Sequence, residues 1–116
     1  MRTLTILVCE GDPLIRSSTA EMLQALGHVV FEAGDEKAAV AVAEQHMIDV
    51  LLTDVGLPDI SGIQLADELR SRKQGLRVIF ATGRDHIAGN MPDPSVRLLM
   101  KPYSLENLKA VVSDIA

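Results

Sequence analysis

The sequence predicts a three-layer α/β sandwich in which helices cover both faces of a parallel sheet. Three observations predict it. Five short runs rich in Val, Ile and Leu recur along the chain. Amphipathic segments with helix-capping residues separate most of them. Acids, a Thr-Gly and a Lys-Pro stand just after the runs. Short, nearly continuous apolar runs suit strands buried on both faces, and regular strand–helix alternation argues for parallel pairing.

The strand candidates are Leu4–Cys9, Val29–Glu32, Val50–Thr53, Val78–Ala81 and Val96–Met100. After the first, Asp12 can cap a helix with Pro13 in its first turn. Leu14, Ile15, Met22, Leu23 and Leu26 supply its apolar face, and Gly27 stops it. Asp35 can cap an alanine-rich helix from about Glu36 to His46. Ser61 can cap a third, with Ile63, Leu65, Ala66 and Leu69 inward and Gly75 near its end. Ser104 can cap the last, where Leu105, Leu108, Val112 and Ile115 recur at helical spacing. Between the fourth and fifth strands, residues 83–95 hold two glycines and two prolines. That leaves room for only a short or irregular fourth helix and a loop. Right-handed crossovers allow few topologies for five strands. The flavodoxin-like (βα)5 order 2-1-3-4-5 is the natural choice, with the working site at the carboxyl ends of the strands.

Composition narrows the function. The 116 residues, 47% of them hydrophobic and 23% charged, suit one globular domain over 1–116. A net charge of −5 argues against direct nucleic-acid binding. Phe31, Phe80 and Tyr103 are the only aromatics, too few for a base-stacking platform. Cys9 is the single cysteine, so no internal disulfide or Cys-based zinc site can form, which fits a cytoplasmic location. No apolar run approaches the ~18 residues of a membrane span.

The topology has a chemical consequence. Glu10, Gly11 and Asp12 follow strand one, Asp54 follows strand three, Thr82-Gly83 strand four and Lys101-Pro102 strand five. A parallel sheet brings these ends to one edge. Carboxylates, a hydroxyl and an ammonium then share a small site, a set suited to phosphoryl transfer. Asp54 can be the nucleophile that forms an acyl phosphate. Glu10 can help hold Mg²⁺, and Thr82 and Lys101 can meet phosphoryl oxygens. Gly56 and Gly83 leave backbone groups open to close approach. Singly, each residue reads more simply as a turn or loop residue; the combination carries the argument. No glycine-rich phosphate loop follows strand one, against a flavin or nucleotide site.

The stretch Ile6-Leu7-Val8-Cys9-Glu10-Gly11-Asp12-Pro13-Leu14-Ile15-Arg16 resembles the start of a response-regulator receiver domain (CheY-like). Asp49–Gly62 resembles its phospho-acceptor strand and loop, and Phe80-Ala81-Thr82-Gly83 and Lys101-Pro102-Tyr103 complete the pattern. The Phe-Ala-Thr-Gly motif and short fourth helix look closest to C-terminal receivers of hybrid histidine kinases or to certain single-domain regulators. The resemblance implies a two-component phosphorelay in which Asp54 accepts a phosphoryl group from a histidine kinase or phosphotransfer domain. Thr82 and Lys101 would drive the switch, and Lys101-Pro102 would be cis. Mg²⁺ would lie on Glu10, Asp54 and the Gly56 backbone carbonyl, with Asp12 as a further carboxylate. The chain would not be an enzyme beyond self-catalysed phosphotransfer and dephosphorylation.

Three departures from the family pattern stand out. Gly11 replaces the second acid of the usual pair, which predicts weak Mg²⁺ binding. Leu98 stands where many members have a switch aromatic. The shortened fourth helix alters a face often used to dimerise, so dimerisation stays open. The first departure motivates an alternative: a degenerate receiver acting as a phosphorylation-independent interaction module.

The remaining expectations are structural. Cys9 reads as a packed, inert thiol. His28, His46 and His86 read as surface or helix-end residues, Asp59 as a turn former and Arg70–Lys73 as a solvated helix end. Tyr103 either packs beside the site or faces a partner.

Overall fold

The computed structural model describes residues 3–83 and 95–115. Strands β1 (Thr5–Cys9), β2 (Val29–Ala33), β3 (Val50–Asp54), β4 (Arg77–Thr82) and β5 (Val96–Met100) alternate with helices α1 (Pro13–Ala25), α2 (Glu36–Gln45), α3 (Gly62–Arg72) and α4 (Leu105–Ile115). The sheet is parallel, in the expected order β2-β1-β3-β4-β5. The short fourth helix expected between β4 and β5, and His86, lie outside the described residues. Among the described residues no helix is long and apolar enough to cross a membrane.

Strand alternation divides the interior. Ile6, Val8, Val50, Leu52, Ile79 and Ala81 face one side with Leu23 of α1 and Leu108, Val112 and Ile115 of α4. Leu7, Cys9, Leu51, Val78 and Phe80 face the other with Ala39 of α2 and Leu65, Ala66 and Leu69 of α3. The central strands are buried on both faces as expected, but the edge strand β2 is largely uncovered: Val29 is exposed and Val30, Phe31 and Glu32 are not buried.

The helix signals hold at the ends and fail on the faces. Asp12, Asp35, Ser61 and Ser104 each accept a bond from a first-turn amide, and Gln64 completes a capping box with Ser61. Gly27 and Gly75 adopt φ values of 96° and 83°, which favour glycine. Leu14, Ile15, Ile63 and Leu105, expected inward, are exposed. Leu14 and Ile15 sit on the first turn of α1, and the face that meets the sheet is Thr19, Ala20 and Leu23.

Candidate functional site

The hydrogen-bond ladder continues past the strand ends and gathers the site. Glu10 N donates to Ala33 O at 3.0 Å, Val55 N to Ala81 O at 3.3 Å and Lys101 N to Thr82 O at 2.8 Å. Asp54 and Thr82 are the last residues of β3 and β4, while Glu10 and Lys101 immediately follow β1 and β5. The Lys101 ammonium reaches Glu10 Oε1 at 2.8 Å and Asp54 Oδ2 at 3.2 Å. Separate stretches of chain thus bring a cation and two carboxylates to one rim. Thr82 is buried one step beyond Ala81, the residue paired with Asp54 in the ladder. The Lys101-Pro102 peptide is cis.

Glu10 is only 6% exposed, and a carboxylate so enclosed needs partners. It has them. Oε1 takes Lys101 and Oε2 accepts from Asp12 N at 3.0 Å. Arg16, which the sequence did not single out, donates from Nη1 to the Glu10 carbonyl at 2.8 Å and fixes the turn. Its position one helical turn beyond the cap was the available signal. Asp12 is committed as a cap: its Oδ1 accepts from Leu14 N at 2.9 Å and Ile15 N at 3.4 Å.

The loop after Asp54 is folded tightly. Gly56 N approaches Asp54 Oδ1 at 3.4 Å, Thr53 Oγ1 donates to the Asp54 carbonyl at 2.9 Å and Gly62 N donates to Val55 O at 2.7 Å. Gly62 is a site residue to which the sequence alone assigns no role. A Cβ there would lie 2.1 Å from the Asp54 carbonyl oxygen, so α3 starts against the backbone of the acid. Asp59 does more than turn the chain. Both its carboxylate oxygens accept from Glu36 N at 3.1 Å, capping α2 from a neighbouring loop.

The donor set offers Mg²⁺ two carboxylates, Glu10 and Asp54, which share the Lys101 ammonium. Mg²⁺ keeps several waters and commonly uses one or two carboxylates, so this set fits. It is not a protein cage: among the described residues no three His, Cys, Asp or Glu side chains are grouped for a metal.

The other expectations sort by burial. Cys9 is fully buried, its Sγ 3.6 Å from the Asp35 carbonyl, and burial pushes its thiol up to about 12. His28 is not a surface residue: it is 8% exposed and its Nδ1 accepts from Leu4 N at 3.1 Å. Its ring is held by the amide of Leu4, the buried residue just before β1. His46 stays exposed at the end of α2, stacked on Phe31 at 4.0 Å. The Arg70–Lys73 stretch is tied down rather than merely solvated. Arg70 donates to Ser95 Oγ at 2.7 Å, Arg72 pairs with Glu44 and Glu68, and Lys73 meets the Ile48 carbonyl. Tyr103 packs beside the site, its hydroxyl 2.5 Å from Thr19 Oγ1.

Cys9, Lys101 and Tyr103 all hold their protons more tightly in the folded chain. Burial does this for Cys9 and Tyr103. For Lys101 burial acts the other way, but the paired Glu10 and Asp54 outweigh it and leave the ammonium raised. A raised folded value means the stabilisation is whole below the ordinary value and is lost as pH climbs through the raised one. The urea midpoint should therefore fall as pH rises through 9.0, the ordinary thiol value, at which the unfolded Cys9 is half ionised. The slope is at most ~1.4 kcal/mol per pH unit for each proton. Cys9→Ala should flatten the first part of the fall. A midpoint unchanged between pH 8 and pH 11 (roughly the span in which the thiol separates the two states) would contradict this.

Comparison with known proteins agrees with the geometry. PdtaR, a transcriptional regulatory protein of Mycobacterium tuberculosis, is 35% identical over 106 residues, covering 89% of this chain and 52% of that protein. The sensor kinase CckA of Brucella abortus is 31% identical over 116 residues, covering 96% of this chain and 12% of the kinase. The chain thus spans about half the length of such regulators, and far less of the kinase. The crystal structure of the response regulator TrrA from Thermotoga maritima, in complex with Mg²⁺-BeF, superposes with a TM-score of 0.86. It is 25% identical, and the match covers 98% of this chain and 100% of that one. Residues 6–113 match the response regulator receiver domain. The chain belongs to that family, the receiver domains of two-component signalling.

Proposed function

We propose that Asp54 accepts a phosphoryl group from the phosphohistidine of a histidine kinase or phosphotransfer domain. The observation that carries this reading is the Lys101 ammonium held 3.2 Å from Asp54 and 2.8 Å from Glu10 at the open edge of the sheet. A carboxylate oxygen of Asp54 attacks phosphorus, the N–P bond breaks and its electron pair returns to the imidazole. Water later cleaves the acyl phosphate and releases inorganic phosphate. Lys101 and Thr82 meet the charge on the phosphoryl oxygens, and Lys101 then exchanges its carboxylate partner for the phosphoryl group. Glu10, Asp54 and the Gly56 carbonyl would hold Mg²⁺, which supplies further positive charge to those oxygens when bound. Turnover beyond loss of its own phosphoryl group is not part of this role.

A groove of about 480 Å³ beside Lys101 supports docking of the donor. Leu14, Ile15, Met22, Pro102 and Tyr103 line it, and Leu14 is 81% exposed. An apolar partner surface seated there would bring its histidine next to the site.

Acetyl phosphate with Mg²⁺ should add one phosphoryl mass, about 80 Da, and Asp54→Asn should abolish the gain. No gain with any small donor or cognate kinase removes the reading. Gly11 favours a second one, a phosphorylation-independent interaction module. Partner binding that survives Asp54→Asn unchanged would select it.

A further inference from the structure

We infer that the Thr19–Tyr103 hydroxyl pair positions Lys101, acting as a latch between α1 and the strip that follows β5. This rests on the reading of Asp54 as phospho-acceptor, with Lys101 at the reacting oxygens. Lys101 occupies a three-residue strip, Lys101-Pro102-Tyr103, between β5 and the cap of α4. The strip is held at one end by Lys101 N donating to Thr82 O at 2.8 Å. At the other end the Tyr103 hydroxyl lies 2.5 Å from Thr19 Oγ1. The ammonium that meets Glu10 and Asp54 extends from between these two anchors.

Thr19 is the unexpected member. It is 1% exposed, on the face of α1 that otherwise presents Ala20 and Leu23 to the sheet. A buried hydroxyl must find a partner, and this one is met by the sole tyrosine, whose ring packs against the same apolar layer. If packing were all, valine and phenylalanine would serve as well, because replacing both members of a buried bond by apolar groups of similar shape is nearly neutral. The hydroxyls add a fixed separation between α1 and the strip. That fixes where the lysine stem begins. The groove proposed for the donor shares Thr19, Pro102 and Tyr103 with the latch. A partner in the groove would therefore press on the segment that aims the ammonium.

The test compares Tyr103→Phe, Thr19→Val, their double variant and Thr19→Ser. The primary readout is the ¹H–¹⁵N signal of the Lys101 ammonium, assigned by its loss in Lys101→Met. An ion-paired ammonium held in place exchanges its protons slowly. We expect the signal in the wild type and Thr19→Ser, and its loss in Tyr103→Phe, Thr19→Val and the double variant at near-wild-type Tm. Acetyl-phosphate labelling should slow about tenfold in the same three variants, since a 1 Å misplacement can cost up to about a hundredfold. The double variant should be no slower than either single one. An unchanged ammonium signal in the double variant overturns the latch. So does a labelling loss that adds across the two singles. If the wild type takes up no phosphoryl group, the proposed function falls, and the ammonium signal alone still decides the latch.

Discussion

Gly62→Ala is expected to lower the thermal midpoint by about 4–8 °C and to cut phosphoryl uptake more deeply than the stability loss explains. The new Cβ would sit 2.1 Å from the Asp54 carbonyl oxygen, 3.0 Å from its carbon and 3.1 Å from Thr53 Oγ1. No flexible side-chain tip lies there to yield, so α3 or the end of β3 must move. Overpacking of this kind costs about 1–3 kcal/mol, and in a domain of this size each kcal/mol lowers the midpoint by roughly 4 °C. The usual helix-propensity gain of alanine over glycine, up to about 1 kcal/mol, offsets part of this. The functional cost is separate. Any retreat of α3 shifts the backbone that carries the Asp54 carboxylate, which Lys101 now meets at 3.2 Å. Circular-dichroism melts and acetyl-phosphate labelling at 15 °C (a temperature near the usual stability maximum) check both parts. A midpoint within about 2 °C of wild type, half the shift of one kcal/mol, would contradict the steric argument.

Gly11→Asp is expected to tighten Mg²⁺ binding by about tenfold or more, because affinity for hard cations rises with the number of carboxylate ligands. The resting site holds two carboxylates and one ammonium. A third acid without a cation adds repulsion, so the variant should be less stable than wild type in EDTA. Mg²⁺ should then stabilise it more strongly, by about 2.7 kcal/mol at a hundredfold excess over Kd. The substitution is not free of contact. A Cβ at Gly11 meets the Pro58 ring at 3.3 Å, which requires the ring to give by a few tenths of an ångström. Gly11→Ala carries that cost without the charge and is the control. Melting curves with and without Mg²⁺ separate the two. Equal Mg²⁺ shifts in wild type, Gly11→Ala and Gly11→Asp would show that the missing acid does not limit the site.

The sheet order and the gathering of Glu10, Asp54 and Lys101 were legible because strand periodicity and parallel pairing place residues by position alone. Caps at Asp12, Asp35, Ser61 and Ser104 were legible because they depend on chemistry a few residues away. What escaped depends on distant neighbours. Nothing local to His28 announces that its ring accepts from Leu4, or that Asp59 reaches Glu36 across to the next crossover. The outward turn of Leu14, Ile15, Ile63 and Leu105 escaped because each opens a helix, where the chain has yet to lie against the sheet. Thr19 looked like an ordinary helix residue until Tyr103 was placed beside it.

The cap that Asp59 supplies has a mechanical consequence. The positive end of the α2 backbone is neutralised by a carboxylate borrowed from the segment just beyond Asp54. Two neighbouring crossovers on the same face of the sheet are therefore buttoned together at a single amide. A displacement of that segment would free the Glu36 amide and leave Asp35 to cap α2 alone, and α2 is the helix that packs on β2, the open margin of the sheet.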